Sequence, residues 1–311
     1  MNIFITGATG FVGSYLRKFL KSPEHRIWGS AYPDVPEDSS EDQIFYLDIK
    51  SEKNVFRHVR EIKPDWVFHL AAISNVRHSW SRRKETLETN IIGTLNLFEG
   101  IREFSQDARV IFVSSSDIYG TRSFSGDPLT ETEEVLIMNP YAYSKWSAEL
   151  LSEFYTRIEN LDIVIARSFP HTGPGQSADF VCSDWAYQIA RIEKGLNDPV
   201  IKVGNVSVER DFTDVRDVVR AYVLLIEKGK MGEVYNVCSG RSYSLESMLK
   251  RLLSFTQKEI SVRVDSRKLR KVDIPRLVGD NKKIKEAISW EPQIPIEQSL
   301  EELLDYWRQR V

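Results

Sequence analysis

The residues with the clearest chemical potential are a tyrosine and a lysine in the segment 139–145, NPYAYSK. This segment predicts the opening of a helix, on which Tyr141 and Lys145, four positions apart, share one face. Because an ammonium close to a phenol favours the phenolate, we predict that Lys145 lowers the pKa of Tyr141 from about 10 towards neutrality. Such a phenol can donate a proton to a carbonyl or accept one from an alcohol. The alternative is an amphipathic helix with a buried tyrosine and a solvated lysine.

A glycine-rich turn begins near the start of the chain, where the apolar run 2–5 predicts a buried parallel strand. The segment 6–13, TGATGFVG, follows at once and leads into a helical pattern. Gly7 allows a tight turn, Gly10 allows the backbone to approach a pyrophosphate, and Gly13 allows the helix to pack close to the strand. Glycine turns also occur for purely structural reasons. A strand before the turn and a helix after it indicate a dinucleotide site, with phosphates at the helix N-terminus.

The elements that must position these residues alternate along the chain. Strands are predicted at 26–31, 45–47, 66–70, 110–113 and 163–166, and helices at 54–62, 85–104 and from residue 141. This alternation predicts the α/β class, with a Rossmann-type doubly wound parallel sheet in a domain of residues 1–168. The regular alternation of strands and helices then ends, and residues 169–311 are predicted to form mainly a smaller C-terminal α/β substrate-binding domain. Parts of 205–238 are predicted to return to the first domain.

Polar and small residues stand where the predicted strands end. Asp48 could accept a hydrogen bond from an adenine amino group or cap the next helix. Ala71 and Ala72 are small enough to let a cofactor lie close to the fourth strand. The fifth strand ends in the serine run 114–116. Asn90 lies inside the predicted helix 85–104, where a buried polar side chain needs a partner.

Composition excludes several classes of function. The 311 residues carry a net charge of −3, which argues against a nucleic-acid partner. No apolar run is long enough to span a bilayer, and no secretion signal is recognisable. Two cysteines, Cys182 and Cys238, are too few for a disulfide framework, so we expect a cytoplasmic protein. The histidines lack zinc-ligand spacing, so we predict no metal site.

Several motifs, taken in order, resemble the extended short-chain dehydrogenase/reductase family of nucleotide-sugar enzymes over essentially the whole chain. They are the glycine turn, Asp48-Ile49, His69-Leu70-Ala71-Ala72, Asn90, the segment 114–120, the Tyr141 and Lys145 pair, and Trp290-x-Pro292. Within the family, the segments 171–176, 203–205, 210–217 and 235–240 are similar to GDP-4-keto-6-deoxy-D-mannose reductases.

The resemblance implies roles for individual residues. Tyr141 would protonate the developing alkoxide, Lys145 would hold the nicotinamide ribose, Ser115 would hydrogen-bond the keto oxygen, and Asn90 would support Lys145. Asp117 is the fourth catalytic candidate, either as an acid or base or as a residue that orders its loop. The implied cofactor-binding set is Gly7, Thr9, Gly10, Phe11, Val12, Gly13, Ser30, Asp48, Ile49, Leu70, Ala71, Ala72, Asn90, Tyr141 and Lys145.

The resemblance also implies a substrate site. Arg210 and Arg270 match diphosphate-binding arginines, and guanidinium forks suit that ligand. Without the resemblance each arginine would be interpreted as a solvated surface charge. Ser74, Ser116 and Asp273 complete the predicted substrate-binding set. Two departures from the family pattern concern selectivity: Pro170 replaces a usual asparagine, and the run 270–273, RKVD, replaces an Arg-Pro-x-Glu pattern.

The predicted activity is reduction of the C4 keto group of a GDP-linked 4-keto-6-deoxy-hexose, giving GDP-D-rhamnose or its C4 epimer. One alternative is a GDP-mannose 4,6-dehydratase or an epimerase that regenerates its cofactor. Dehydratases carry a longer glutamate where this chain has Asp117. The alternative from another class is a non-catalytic Rossmann redox sensor, against which the Ser115, Tyr141 and Lys145 set argues.

The cofactor prediction depends on the second strand, which ends Ser30-Ala31-Tyr32. No acidic residue there would bind the ribose 2′-hydroxyl of NAD, which favours NADP. However, no arginine is present at that strand end, and the loop 34–42 is acidic. We therefore predict a modest preference for NADPH, with NADH tolerated. The family also implies a homodimer, assembled through the helices at 85–104 and 141–158.

Overall fold

A parallel sheet forms the centre of the molecule in the computed structural model, which describes residues 1–35, 43–125, 127–269 and 273–311. Seven strands of the described residues lie in the order β3-β2-β1-β4-β5-β6-β11. They are β1 (Asn2–Thr6), β2 (Arg26–Ala31), β3 (Gln43–Tyr46), β4 (Trp66–His69), β5 (Arg109–Ser115), β6 (Asp162–Ser168) and β11 (Val234–Val237). The order reverses between β1 and β4, and crevices for ligands form where such strands end. The predicted doubly wound α/β fold is confirmed.

Helices cover both faces of this sheet. One face packs on α1 (Phe11–Leu20), α8 (Val215–Lys228) and α10 (Lys282–Ile288). The other face packs on α2 (Glu52–Ile62), α5 (Gly93–Phe104) and α6 (Pro140–Arg157). The apolar residues of both layers are buried, so the sheet is packed on both faces. Within the described residues, no helix is both long and apolar enough to cross a lipid bilayer.

The helix predicted at 85–104 is interrupted. Its first part is α4 (Arg83–Leu87), then the chain makes a π-helical turn at Glu88–Ile92, and α5 completes the run. A short helix, α3 (Val76–Ser81), precedes them. The π turn contains Asn90 and is followed by Gly93, where an added Cβ would lie 2.5 Å from Cγ2 of Ile49. Turns of this kind often occur at functional sites.

The C-terminal part has small sheets and a core of its own. Its strands pair as β7 (His171–Thr172) with β10 (Thr213–Asp214), β8 (Val200–Val203) with β13 (Ser261–Val264), and β9 (Glu209–Arg210) with β12 (Tyr243–Ser244) and β14 (Arg276–Leu277). Its core is formed by α7 (Val181–Glu193), α9 (Leu245–Leu253) and α11 (Ile296–Arg308). The boundary predicted at residue 168 stays a prediction.

Candidate active site

The helix that presents Tyr141 and Lys145 begins where the sequence predicts it. Asn139 caps α6, because its Oδ1 accepts the N–H of Ala142 at 2.8 Å, and Pro140 occupies the first helical position. Tyr141 and Lys145 are both buried, with 8% and 6% of their surface exposed. The side chains therefore stand together on the face that packs against the sheet.

Burial decides the protonation of this pair. The pKa of Tyr141 is raised, first by burial and then by the carboxylate of Asp117, although a hydrogen bond with Ser115 acts in the lowering direction. Burial lowers the pKa of Lys145 to about 8. The ammonium of Lys145 donates to the carbonyl of Val113 at 2.7 Å. The prediction of a lowered pKa for Tyr141 is therefore wrong, because burial penalises the charged phenolate and the carboxylate of Asp117 repels it.

Ser115 and Asp117 lie beside the tyrosine at the end of β5. Ser115 hydrogen-bonds the Tyr141 side chain, and its Oγ also accepts the backbone N–H of Asp117 at 3.2 Å. Ser116 is buried next to them, with 2% exposed. The structure thus brings together Ser115, Asp117, Tyr141 and Lys145, which are the four predicted catalytic residues.

The glycine turn packs tightly and leads directly into α1. Gly7 adopts a φ of 71°, and its N–H donates to Oγ of Ser30 at 3.1 Å. A Cβ on Gly13 would lie 2.3 Å from the carbonyl oxygen of Gly7, so only glycine fits there. Within the described residues, no side chain caps the first turn of α1, which begins at Phe11. Its backbone N–H groups are available to an anion, which fits a dinucleotide pyrophosphate.

The remaining predicted cofactor residues line the same edge of the sheet. Thr9 and Val12 are half-buried beside the turn. Leu70 and Ala71 follow β4, each donating its N–H to Oγ1 of Thr6 at 3.1 Å, and Ala72 comes next in the chain. A Cβ on Gly7 would lie only 3.0 Å from the backbone of Ala71, which shows how closely the turn and this segment pack.

Ser30 and Asp48 already have partners within the protein. The hydroxyl of Ser30 accepts from Gly7, and its carbonyl accepts the N–H of Ala8 at 2.9 Å, so Ser30 shapes the turn. Oδ1 of Asp48 accepts the N–H of Lys50 at 3.0 Å, and the residue at the N-cap of α2 is Ser51. Asp48 therefore orders the loop between β3 and α2 without being the cap itself, and buried Ile49 lies against Gly93, the first residue of α5.

Asn90 contacts the catalytic helix at Ser144, whereas the resemblance implied that it supports Lys145. Its Nδ2 donates to the carbonyl of Ile73 at 3.1 Å and to Oγ of Ser144 at 2.8 Å, and its Oδ1 accepts the N–H of Ile73 at 2.8 Å. Ser144 in turn donates to the carbonyl of Tyr141 at 2.7 Å. The amide thus joins the π turn to the residue before Lys145, and its link leads to Tyr141.

The predicted substrate residues are partly assembled. Arg210 is buried, and its Nη1 donates to the carbonyls of Glu209 and Ile274, each at 2.7 Å. Its Nη2 lies 3.7 Å from Oδ1 of Asp273, and a cavity that includes Asn205 and Val264 adjoins this carboxylate. Ser74 is exposed between β4 and α3. Arg270 lies outside the described residues.

A buried ion pair was missed at the level of sequence. Arg167 and Glu149 meet at 2.5 Å, with 5% and 4% of their side chains exposed. Glu149 also accepts from Oγ of Ser114 at 2.6 Å, and Arg167 donates to the hydroxyl of Tyr119 at 3.0 Å. The pair fixes α6 and the serine run to β6. The two residues lie 18 positions apart on different elements, so no local spacing in the sequence indicates the pair.

Comparison with known proteins identifies the family. The sequence profile described as GDP-mannose 4,6 dehydratase matches residues 4–303. The chain belongs to the GDP-mannose 4,6-dehydratase family. Membership of the nucleotide-sugar branch of the short-chain dehydrogenases, predicted from the motifs, is confirmed. Among the described residues of this family member, no group of three or more His, Cys, Asp or Glu could hold a metal ion.

Relatives within and around this family cover the chain almost completely. A GDP-6-deoxy-D-mannose reductase from Pseudomonas aeruginosa is 34% identical over 309 residues, which are 99% of this chain and 98% of the relative. A solved structure of RMD from Pseudomonas aeruginosa complexed with NADPH has a TM-score of 0.87 at 32% identity, with 99% of each chain covered. A UDP-glucose 4-epimerase from Thermotoga maritima, solved with UDP-glucose, has a TM-score of 0.89 at 29% identity and 99% coverage of both chains.

Proposed function

We propose that the protein is an NADPH-dependent reductase that acts on the C4 keto group of a GDP-linked 4-keto-6-deoxy-hexose. The observation that carries this proposal is the likeness to the Pseudomonas aeruginosa GDP-6-deoxy-D-mannose reductase, 34% identical over 99% of this chain. The product is GDP-D-rhamnose or its C4 epimer. The grouping of Ser115, Tyr141 and Lys145 at the strand ends supports catalysis and disfavours a non-catalytic redox sensor.

The proton transfer follows from the environment of Tyr141. Bound NADPH would supply the hydride that adds to the C4 carbon. Ser115 donates a hydrogen bond to the keto oxygen, and the Tyr141 phenol gives its proton to that oxygen as negative charge develops. Because burial raises the pKa of Tyr141, the phenol stays protonated near neutral pH. Lys145, with a pKa of about 8, is suited to returning a proton to the tyrosine.

The protonated phenol of Tyr141 also disfavours the main alternative, a dehydratase or an epimerase. A dehydratase or an epimerase begins by oxidising a hydroxyl, and Tyr141 would then have to accept a proton. The family profile is described as GDP-mannose 4,6 dehydratase, so a dehydratase is the second candidate function. Asp117 has a shorter side chain than the glutamate of dehydratases, and its charge further raises the pKa of Tyr141. Both features favour reduction.

The residues that would hold NADPH extend from the glycine turn to the catalytic helix. The N–H groups at the start of α1 would bind the pyrophosphate, and Lys145 would bind the nicotinamide ribose. The backbone of Ala71, which approaches Gly7 closely, forms the floor of the site. For the sugar nucleotide, Arg210 and Asp273 are proposed at the diphosphate, together with Arg270, Ser74 and Ser116. We expect NADPH to be preferred modestly over NADH.

A homodimer is proposed through the outer face of α6. Four exposed apolar side chains stand along that helix and at its C-cap, with 53%, 45%, 48% and 69% of their surface exposed: Tyr143, Leu150, Phe154 and Ile158. We call them the α6 stripe. Ile92 of the neighbouring π turn is also exposed, at 44%. Two copies that pair these helices would bury the stripe in a four-helix bundle. A cytoplasmic location remains an expectation from the cysteine content.

The decisive experiment offers the purified protein two sugar nucleotides. With GDP-4-keto-6-deoxy-D-mannose and NADPH, we expect stoichiometric oxidation of NADPH and loss of the keto group, with NADH supporting a lower rate. With GDP-mannose alone, we expect no 4-keto product. Tyr141→Phe is the control: it should abolish turnover and retain binding of NADPH. Release of a 4-keto product from GDP-mannose would favour the dehydratase instead.

A further inference from the structure

A continuous series of buried hydrogen bonds runs beneath the site, starting at the glycine turn. Oγ1 of Thr6 accepts the N–H groups of Leu70 and Ala71, each at 3.1 Å. The same oxygen lies 2.8 Å from Nδ1 of His69, and Nε2 of His69 lies 2.9 Å from Oγ1 of Thr94. His69 and Thr94 have only 2% and 1% of their surface exposed, so water does not compete for these bonds.

The series continues to the catalytic tyrosine. Thr94 donates to the backbone carbonyl of Asn90 at 2.6 Å. The amide of Asn90 donates to Ser144 at 2.8 Å, and Ser144 donates to the carbonyl of Tyr141 at 2.7 Å. Every member after Leu70 and Ala71 is a neutral polar group, and each is bonded on both sides. The two ends of the series are thus the floor of the proposed cofactor site and the first turn of α6.

The direction of each bond is determined by the number of protons available. Thr94 has one hydroxyl proton, which goes to Asn90, so Thr94 must accept from Nε2–H of His69. Burial keeps His69 neutral, so its Nδ1 carries no proton and accepts the hydroxyl proton of Thr6. His69 is therefore the neutral Nε2–H tautomer. Burial accordingly lowers the pKa of His69 to about 3.

Thr94 also stabilises the π turn. In this turn the backbone is wider than in an α-helix, and the hydroxyl of Thr94 provides the carbonyl of Asn90 with a partner. The side chain of Asn90 is aimed at Ser144 only while this turn is held. His69 orients the Thr94 hydroxyl, because its Nε2–H occupies the accepting side of that oxygen.

We propose that His69 and Thr94 are positioning residues that hold Tyr141 in register with the cofactor site, through Asn90 and Ser144. This proposal rests on the proposed function, in which Tyr141 must reach the oxygen at C4 while the hydride reaches the carbon. Small misplacements of a reacting group are expensive, since about 1 Å can cost on the order of 100-fold in rate. His69 and Thr94 do not touch the substrate, so their contribution falls on kcat.

The test removes one hydroxyl and compares it with a matched control. Thr94→Val keeps the shape of the side chain and breaks the series in the middle. Thr86→Val removes an equally buried hydroxyl, which donates to the carbonyl of Arg82 at 2.8 Å, four residues earlier, and lies outside the series. We expect Thr94→Val to lower kcat roughly 10-fold, because the variant loses about one hydrogen bond that positions Tyr141. KM for the sugar nucleotide and Kd for NADPH should stay within about twofold of the wild-type values.

Two further variants extend the comparison. Thr94→Ser retains the hydroxyl and should restore kcat to within about threefold of wild type. His69→Asn keeps a polar atom facing Thr6 but is too short to reach Thr94, so it should match Thr94→Val. Thr86→Val should retain kcat even if its melting temperature falls. If Thr94→Val and Thr86→Val have equal kcat values, the positioning role is wrong.

A measurement without turnover separates this proposal from the proposed function. In protein with isotope-labelled tyrosine rings, the Tyr141 signal is assigned by its absence in Tyr141→Phe. Thr94→Val should shift that signal and Thr86→Val should leave it in place. An unmoved signal in Thr94→Val overturns the positioning role whatever the substrate proves to be. A wild-type protein that reduces no 4-keto sugar nucleotide overturns the proposed function alone.

Discussion

Lys145 carries a charge that the active site makes sensitive to pH. Burial lowers its pKa from the usual 10.5 to about 8. The ammonium is therefore present below pH 8 and lost above it. If the ammonium binds the nicotinamide ribose, kcat/KM for NADPH should fall above about pH 8 with a slope approaching −1, as a pH profile would reveal. Lys145→Arg should be less active but lack this decline, because a guanidinium stays charged.

Unfolding does not account for such a decline. Between pH 8 and 10.5 the unfolded chain binds a proton at Lys145 that the folded protein has released. The contribution of Lys145 to the free energy of unfolding therefore rises with pH across this window. Melting temperatures measured beside the kinetic profile should not fall because of this group. A profile that stays flat to pH 10 would contradict the proposed role of the ammonium.

Arg210 is the residue on which the sugar-nucleotide assignment depends most. If it holds the diphosphate, a charge-assisted contact of roughly 1.5–3 kcal/mol is at stake. Arg210→Ala should then raise KM for the sugar nucleotide about 10- to 150-fold with little change in kcat. The melting temperature should also fall, because the carbonyls of Glu209 and Ile274 lose their donor. Kinetics should be measured well below that temperature.

The neighbouring strand offers a control for this experiment. Arg276 of β14 lies in the same small sheet, with its Nε 3.3 Å from a carboxylate oxygen of Glu209. Arg276→Ala removes a similar charge from the same sheet and should leave KM for the sugar nucleotide close to wild type. If the two variants have the same KM, Arg210 does not bind the diphosphate, and the assignment of a nucleotide-sugar substrate loses its main residue-level support.

At the scale of elements, substitutions at two glycines at the start of α1 should affect protein stability and NADPH binding differently. A Cβ on Gly13 would lie 2.3 Å from the carbonyl of Gly7, whereas one on Gly10 would lie 3.3 Å from the same oxygen. Gly13→Ala should therefore cost about 1–3 kcal/mol of stability through overpacking. Gly10→Ala should keep the melting temperature and weaken NADPH binding, because its methyl group would point at the pyrophosphate. Thermal unfolding and NADPH titration of both variants test this. Equal losses of melting temperature would contradict it.

Local signals explain which elements the sequence predicts well. Asn139 and Pro140 mark the start of α6, and the strands of the sheet follow apolar runs that need no distant information. The π turn at Glu88–Ile92 leaves the apolar pattern of 85–104 almost unchanged, so sequence periodicity predicts one continuous helix there. The two-residue strands β7, β10, β12 and β14 form only through long-range pairing, and sequence alone gives them no signal.

At the scale of the molecule, residue types were predictable and their environments were not. Ser115, Tyr141 and Lys145 are recognisable as chemistry from sequence, yet the direction of the Tyr141 pKa follows from how deeply α6 packs on the sheet. The partners of His69 come from residues 63 and 25 positions away, at Thr6 and Thr94. Such contacts exist only once β1, β4 and α5 have been brought together by the sheet order.

The outer surface of α6 gives a prediction for the whole assembly. Phe154 stands in the α6 stripe with 48% of its surface exposed, and Phe19 on α1 is equally unusual, with 53% exposed. If two copies pair through α6, Phe154→Lys places a charge in the buried bundle and should convert the dimer to a monomer. Phe19→Lys, which adds the same charge outside the stripe, should leave the dimer intact. Light scattering coupled to size-exclusion chromatography distinguishes these outcomes. A wild-type protein that is monomeric at micromolar concentration, or a Phe154→Lys variant that remains dimeric, would rule out assembly through this face.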